Sequence, residues 1–121
     1  MTITHQHKKL KVWQDSIKFS IDIYQITNTF PHLEQFGLVS QLRRASISIP
    51  SNIAEGSKRG TKKDFASFLR IAHGSSAEIE TQLLIATELH YINKEDYTKL
   101  SNSLEQIMGM LGSLIITISE S

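Results

Sequence analysis

Lys58, Arg59, Lys62 and Lys63 crowd into one short stretch, SKRGTKK, and Lys8, Lys9 and Lys11 form a second basic group near the start of the chain. The chemistry open to such side chains is neutralisation of phosphates. Lys62 and Lys63 fall where a helix would begin, and the free N–H groups and dipole of a helix start also favour anions. No aromatic residue is interleaved among these basic residues except Phe65, so stacking on bases is not expected. No Asn/Gln/Arg reading helix is visible either, so contacts to nucleic acid would be sequence-tolerant.

A second constellation is polar and lies beside an apolar stripe. Gln41, Arg44, Ser48, Asn52 and Glu55 follow one helical line, and Ser75, Glu78 and Gln82 follow another that continues into Ile85 and Leu89. A line that mixes carboxylates and amides with Ile and Leu is unlike a plain solvent face. A buried carboxylate without a donor is costly, so Glu78 or Glu55 is expected to be at least half-buried and bonded to Arg44, Asn52 or a facing subunit. Arg44, Ser48, Asn52, Glu55, Ser75 and Glu78 then form either a binding site in a cleft or a network that fixes helix register or a subunit contact. Buried ionic groups in bundles commonly specify pairing, which favours the second reading.

Catalytic patterns are missing. There is no Glu-x-x-His for a di-metal bundle site, and neither His73 nor His90 has a carboxylate three residues before it. HExxH, G-x-S-x-G and G-x-x-x-x-G-K-[ST] are absent, the GSKRG loop follows no strand, and the chain has no cysteine. No catalytic residue, metal or cofactor is expected.

Four helices must position these groups. Proline occurs only at 31 and 50, and a 3.6-residue period dominates. Helix 1 is predicted over Leu10–Thr29, stopped by Pro31. Helix 2 is predicted over Gly37–Gly56 with a kink where Pro50 cannot bond the Ser46 carbonyl, and Gly56 as the residue after its end. Helix 3 starts at the capping pair Thr61/Asp64 and runs to about His90. Helix 4 follows Asn93, with Tyr97, Leu100, Leu104, Ile107, Leu111, Leu114 and Ile118 alternating by three and four. Short connections make neighbours antiparallel, so the fold class is all-α, an up-down-up-down four-helix bundle over residues 10–118. Residues 1–9 are expected to be a flexible basic tail and 119–121 a C-terminal tail.

The 121 residues suit one domain. Net charge is +1, but residues 1–70 carry eleven Lys/Arg and five Asp/Glu (+6), and residues 71–121 carry two and seven (−5). Such asymmetry points to a polyanion-binding face or to surfaces that attract in an oligomer. Gly74, Gly109 and Gly112 interrupt helices, and Ile71, Ile85, Leu89, Met108, Met110 and Ile115 lie off the main seams. Close backbone approach and a further interface would account for both. Residues 1–9 have no apolar stretch behind them, and no run is long enough to span a membrane, so a cytoplasmic protein is expected.

The strings LKVWQDSIKF (10–19), QLRRASISIPSNIAEG (41–56) and FLRIAHGSSAEIETQL (68–83) resemble the four-helix-bundle family of 23S rRNA intervening-sequence proteins. The likeness spans about residues 9–118. Members of that family are similar to the accessory protein of diversity-generating retroelements, a basic barrel-shaped homopentamer that assists a reverse transcriptase and contacts nucleic acid. Carried over residue by residue, the family pattern falls on Arg44, Ser48, Asn52, Glu55, Gly56, Ser75 and Glu78. The resemblance implies a bundle and a homopentamer, with RNA or DNA, and a reverse transcriptase or other protein, as partners. The expected function is a non-enzymatic homo-oligomeric scaffold that binds RNA or ribonucleoprotein weakly through its basic ends. The alternative is a protein–protein adaptor that touches no nucleic acid.

Overall fold

A computed structural model describes residues 6–120. Four helices account for most of them: α1 Lys11–Thr27, α2 Ser40–Ser57, α3 Lys62–Glu88 and α4 Lys94–Ser119. No strand occurs among the described residues. Each helix packs on the next, and α4 returns to α1. The side-chain bonds give the directions. Ser20 of α1 meets Ser46 of α2, Ser48 of α2 meets Ser75 of α3, and Arg70 of α3 meets Ser119 of α4. The pairings Thr27–Arg43 and Gln41–Gln82 continue the first two, with numbers falling on one helix as they rise on the other. Neighbours are therefore antiparallel, as the short connections require.

The core is built from the apolar periodicity. Phe19 and Ile23 of α1, Leu42, Ile49 and Ile53 of α2, Phe65, Leu69, Ile79 and Leu83 of α3, and Leu104, Ile107 and Leu111 of α4 are all fully buried. Their burial is the main stabilising contribution of the fold. Thr61 caps α3 by accepting from the Asp64 amide at 3.1 Å, and Asn93 caps α4 by accepting from the Asp96 amide at 2.8 Å. Among the described residues no helix is long and apolar enough to cross a membrane.

Several expectations shift. Helix 2 does not start at Gly37, whose backbone is non-helical (φ −109°, ψ −111°). A π turn over Gln35–Val39 precedes the α-helix at Ser40. The Glu34 carboxylate anchors that turn, accepting from the Leu38 amide at 3.3 Å and from the Tyr91 hydroxyl at 3.0 Å. That carboxylate holds the Tyr91 phenol above its ordinary pKa. Gly56 does not follow the end of α2 but lies inside it. A Cβ there would meet Phe68 Cβ at 2.7 Å, so its role is to let α3 start against α2. Gly74, Gly109 and Gly112 face open space, with no close backbone approach within the chain. Residues 1–5 and 121 of the expected tails lie outside the described residues; of the others, His7–Lys9 form a 3-10 turn and Ser119 belongs to α4.

Candidate functional site

The basic end is assembled by His7. Its ring is buried edge-on against Trp13, with centroids 5.2 Å apart, and its Nδ1 lies 2.9 Å from the Ser57 hydroxyl at the end of α2. Ser57 gives its single hydrogen to the Ala54 carbonyl at 2.7 Å, so it accepts from His7 Nδ1–H. This contact brings the start of the chain to the α2–α3 turn. Burial, then the nearby charges of Lys58 and Lys8, push the His7 pKa below its ordinary value. Two cations from separate basic segments therefore converge on one imidazole.

The turn itself is tight. Gly56 allows the Phe65 and Phe68 rings to close over the end of α2, Gly60 takes the left-handed φ of +92°, and Thr61 caps the next helix. Lys58, Arg59, Lys62 and Lys63 are all exposed on this turn, as are Lys8, Lys9 and Lys11 beside it. Two of the seven have carboxylate partners. Lys11 pairs with Asp15 at 2.7 Å and Arg59 with Glu55 at 2.9 Å, both on the surface, where such pairs are weak and exchangeable for phosphate. Arg59 also lies over the Phe68 ring at 5.0 Å. Lys8, Lys9, Lys58, Lys62 and Lys63 make no ion pair among the described residues. Asp64, in the first turn of α3, adds a negative charge beside them.

The polar stripe divides. Ser48 and Ser75 share a hydrogen bond of 2.8 Å between α2 and α3, and Asn52 donates to the Ser48 hydroxyl at 2.9 Å and to its carbonyl at 2.7 Å. These three form a linked group. The expected burial of Glu55 or Glu78 against Arg44 is not found within the chain. Glu55 is exposed and reaches forward to Arg59, one helical turn on. Glu78 and Arg44 are exposed too, and both line a cleft of about 470 Å³ between α2 and α3 above the Ser48–Ser75 pair. Arg43, not Arg44, ties α2 to α1. Its guanidinium donates to the Thr27 hydroxyl at 2.9 Å, the Tyr24 carbonyl at 3.2 Å and Asn28 Oδ1 at 2.9 Å, and it stacks on the Tyr24 ring at 4.6 Å. Sequence reasoning missed Arg43, although its place one residue round from Arg44, toward α1, was available as a signal.

Among the described residues no group of three or more His, Cys, Asp or Glu side chains could hold a metal ion. What the arrangement offers chemically is a cationic end, a polar cleft and exposed apolar faces.

The family model for the 23S rRNA-intervening sequence protein matches residues 8–113 of the chain. Among solved structures, the chain is similar to a protein of unknown function from the S23 ribosomal protein family of Bacteroides thetaiotaomicron. The two are 28% identical, and the match covers 86% of this chain and 94% of that one with a TM-score of 0.79. No curated protein matches.

Proposed function

The chain belongs to the 23S rRNA-intervening sequence protein family, and from that premise we propose that it is a non-enzymatic, homo-oligomeric scaffold that binds RNA weakly through its basic end. The observation that carries the reading is the joining of two basic segments by His7, which collects Lys8, Lys9, Lys58, Lys62 and Lys63 at one end with no carboxylate partner. One such end makes few phosphate contacts. Repetition of that end in an oligomer multiplies modest contacts into avidity without a new type of contact. The family pattern implies five copies. The exposed Ile21, Ile47, Ile71 and Ile85 support association of some order, since isolated bundles have no use for them. The absence of a base-stacking platform supports sequence tolerance.

The test is RNA affinity between about 50 and 200 mM salt, where phosphate contacts weaken steeply. Lys58, Arg59, Lys62 and Lys63 changed together to Glu should abolish binding and leave the oligomer mass unchanged. If the parent chain never binds RNA and the fourfold variant falls apart instead, the basic end is a contact between copies, and the protein–protein adaptor is the better reading.

A further inference from the structure

We propose that the cleft between α2 and α3 is a site for a guanine base, carried by a free nucleotide or exposed in unpaired RNA. The site goes beyond the scaffold reading above and does not depend on it.

The cleft, of about 470 Å³, has the size of a small-molecule pocket. Its floor is closed. The Ser48 and Ser75 hydroxyls share a bond of 2.8 Å, and Asn52 donates to Ser48. Its walls are unfinished. The Gln82 side-chain oxygen is buried without a hydrogen-bond partner. The Arg44 guanidinium and the Glu78 carboxylate line the same cleft, and neither makes an ion pair or a side-chain hydrogen bond among the described residues. Buried polar groups are normally satisfied, so the walls call for an occupant. Two acceptors, Glu78 and Gln82, lack donors, and one donor, Arg44, lacks acceptors.

Phe36 sets the shape of that occupant. It lines the cleft from the α1–α2 connection and is 91% exposed. The π turn that carries it is pinned by Glu34, which accepts from the Leu38 amide and the Tyr91 hydroxyl. An aromatic ring held out to water at the mouth of a polar cleft is a platform for a planar partner. Guanine is the base whose edges fit the rest. Its N1–H and 2-amino group are adjacent donors for a carboxylate, and its O6 and N7 accept both arms of an arginine. Adenine and cytosine would each set a ring-nitrogen lone pair against any carboxylate that takes their amino hydrogens. Uracil has a single donor.

Sequence tolerance is a property of the basic end, which has no aromatic platform. The cleft lies elsewhere. Ser48 and Lys58 are about ten residues apart on α2 and its cap, roughly 15 Å along the helix. Phosphates at the one place and a base at the other are therefore separate contacts.

Titration calorimetry of the whole chain with guanosine monophosphate against adenosine monophosphate reads the base and cancels the phosphate. The guanine nucleotide should bind about tenfold or more tightly, the size of one good bidentate contact. Inosine monophosphate, which lacks only the 2-amino group, should bind more weakly than guanosine monophosphate. Glu78→Gln should remove the preference. Phe36→Ala should weaken both nucleotides, and Phe36→Tyr should restore them, with circular dichroism checking that each variant folds. Lys58, Arg59, Lys62 and Lys63 changed together to Glu should leave the preference intact, so the result is independent of whether the basic end binds RNA. The hexanucleotides UUGUUU and UUAUUU separate the two sources. A preference for the first that Glu78→Gln removes assigns the base to unpaired RNA, and a preference confined to mononucleotides assigns it to a free nucleotide. Equal binding of the guanine and adenine nucleotides, or no binding of either, would overturn the proposal. So would a guanine preference that survives both Glu78→Gln and Phe36→Ala.

Discussion

The Ser20 hydroxyl donates to the Ser46 carbonyl at 2.8 Å, from α1 to α2, and that carbonyl is the one Pro50 cannot bond. A proline inside a helix removes the amide that would reach back four residues. The orphaned carbonyl is buried, where an unmet acceptor is costly. Ser20 also lies 3.0 Å from the Ser16 carbonyl, but that acceptor already has a helical amide, so the hydrogen is worth more on Ser46. Ser20→Ala should therefore destabilise by about 1–3 kcal/mol in urea. In a Pro50→Ala background the helical bond returns, and the same change should cost roughly 0.5 kcal/mol or less. Equal costs in the two backgrounds would show that Ser20 acts by some other route.

Two glycines should respond in opposite senses. Gly56→Ala places a Cβ 2.7 Å from Phe68 Cβ and 3.0 Å from Phe65 Cδ1, with the first of these anchored to backbone. Overpacking there should cost about 1–3 kcal/mol. Gly109→Ala meets nothing within 4 Å and should stabilise α4 by about 1 kcal/mol, the helix-propensity difference. A loss of oligomer in Gly109→Ala, with the fold intact, would instead place α4 at a contact between copies.

Helix positions and the core were legible because they depend on periodicity and caps, which are local. Thr61/Asp64 and Asn93 mark the helix starts, and the apolar residues of α4 keep phase over its whole length. The polar stripe was half legible. Spacing placed Ser48, Asn52 and Ser75 on facing helices, and these three do meet. Spacing does not fix how far round a helix burial extends, so Glu55, Glu78 and Arg44 fell just outside it and Arg43 just inside the α1 contact. The docking of His7 was not legible at all. It depends on a contact between residues fifty apart in sequence, and no local pattern in MTITHQHKK announces it.

Arg43 and Arg44 are neighbours with different work. Arg43→Ala removes three hydrogen bonds to α1 and its end, and a ring contact, and leaves the Thr27 hydroxyl with one partner fewer. A loss of about 1.5–3 kcal/mol is expected, the range for bonds to a charged group. Arg44→Ala should leave the stability of the dissociated chain within about 0.5 kcal/mol, as for other surface positions. Thermal melts at several protein concentrations separate the two. Any Arg44 effect that appears only where the chain associates belongs to the contact between copies.

Trp13 is the sole tryptophan, and His7 is packed edge-on against it, so its fluorescence reports the docking of the basic segment. Burial, with Lys58 and Lys8 nearby, lowers the His7 pKa from 6.5. The folded chain then binds fewer protons at this site than the unfolded one between the lowered pKa and 6.5. Stability from docking is therefore fully present above pH 6.5 and is lost as pH falls through the lowered value. The fluorescence midpoint should lie below 6.5, and His7→Phe should remove the transition. Phosphates held by Lys8 and Lys58 together favour the docked segment, so RNA should move the midpoint downward. By linkage, mildly acid buffer should then weaken RNA binding more in the parent than in His7→Phe. A midpoint that RNA leaves unmoved, at a salt concentration where RNA is bound, would place the phosphates away from Lys8 and Lys58.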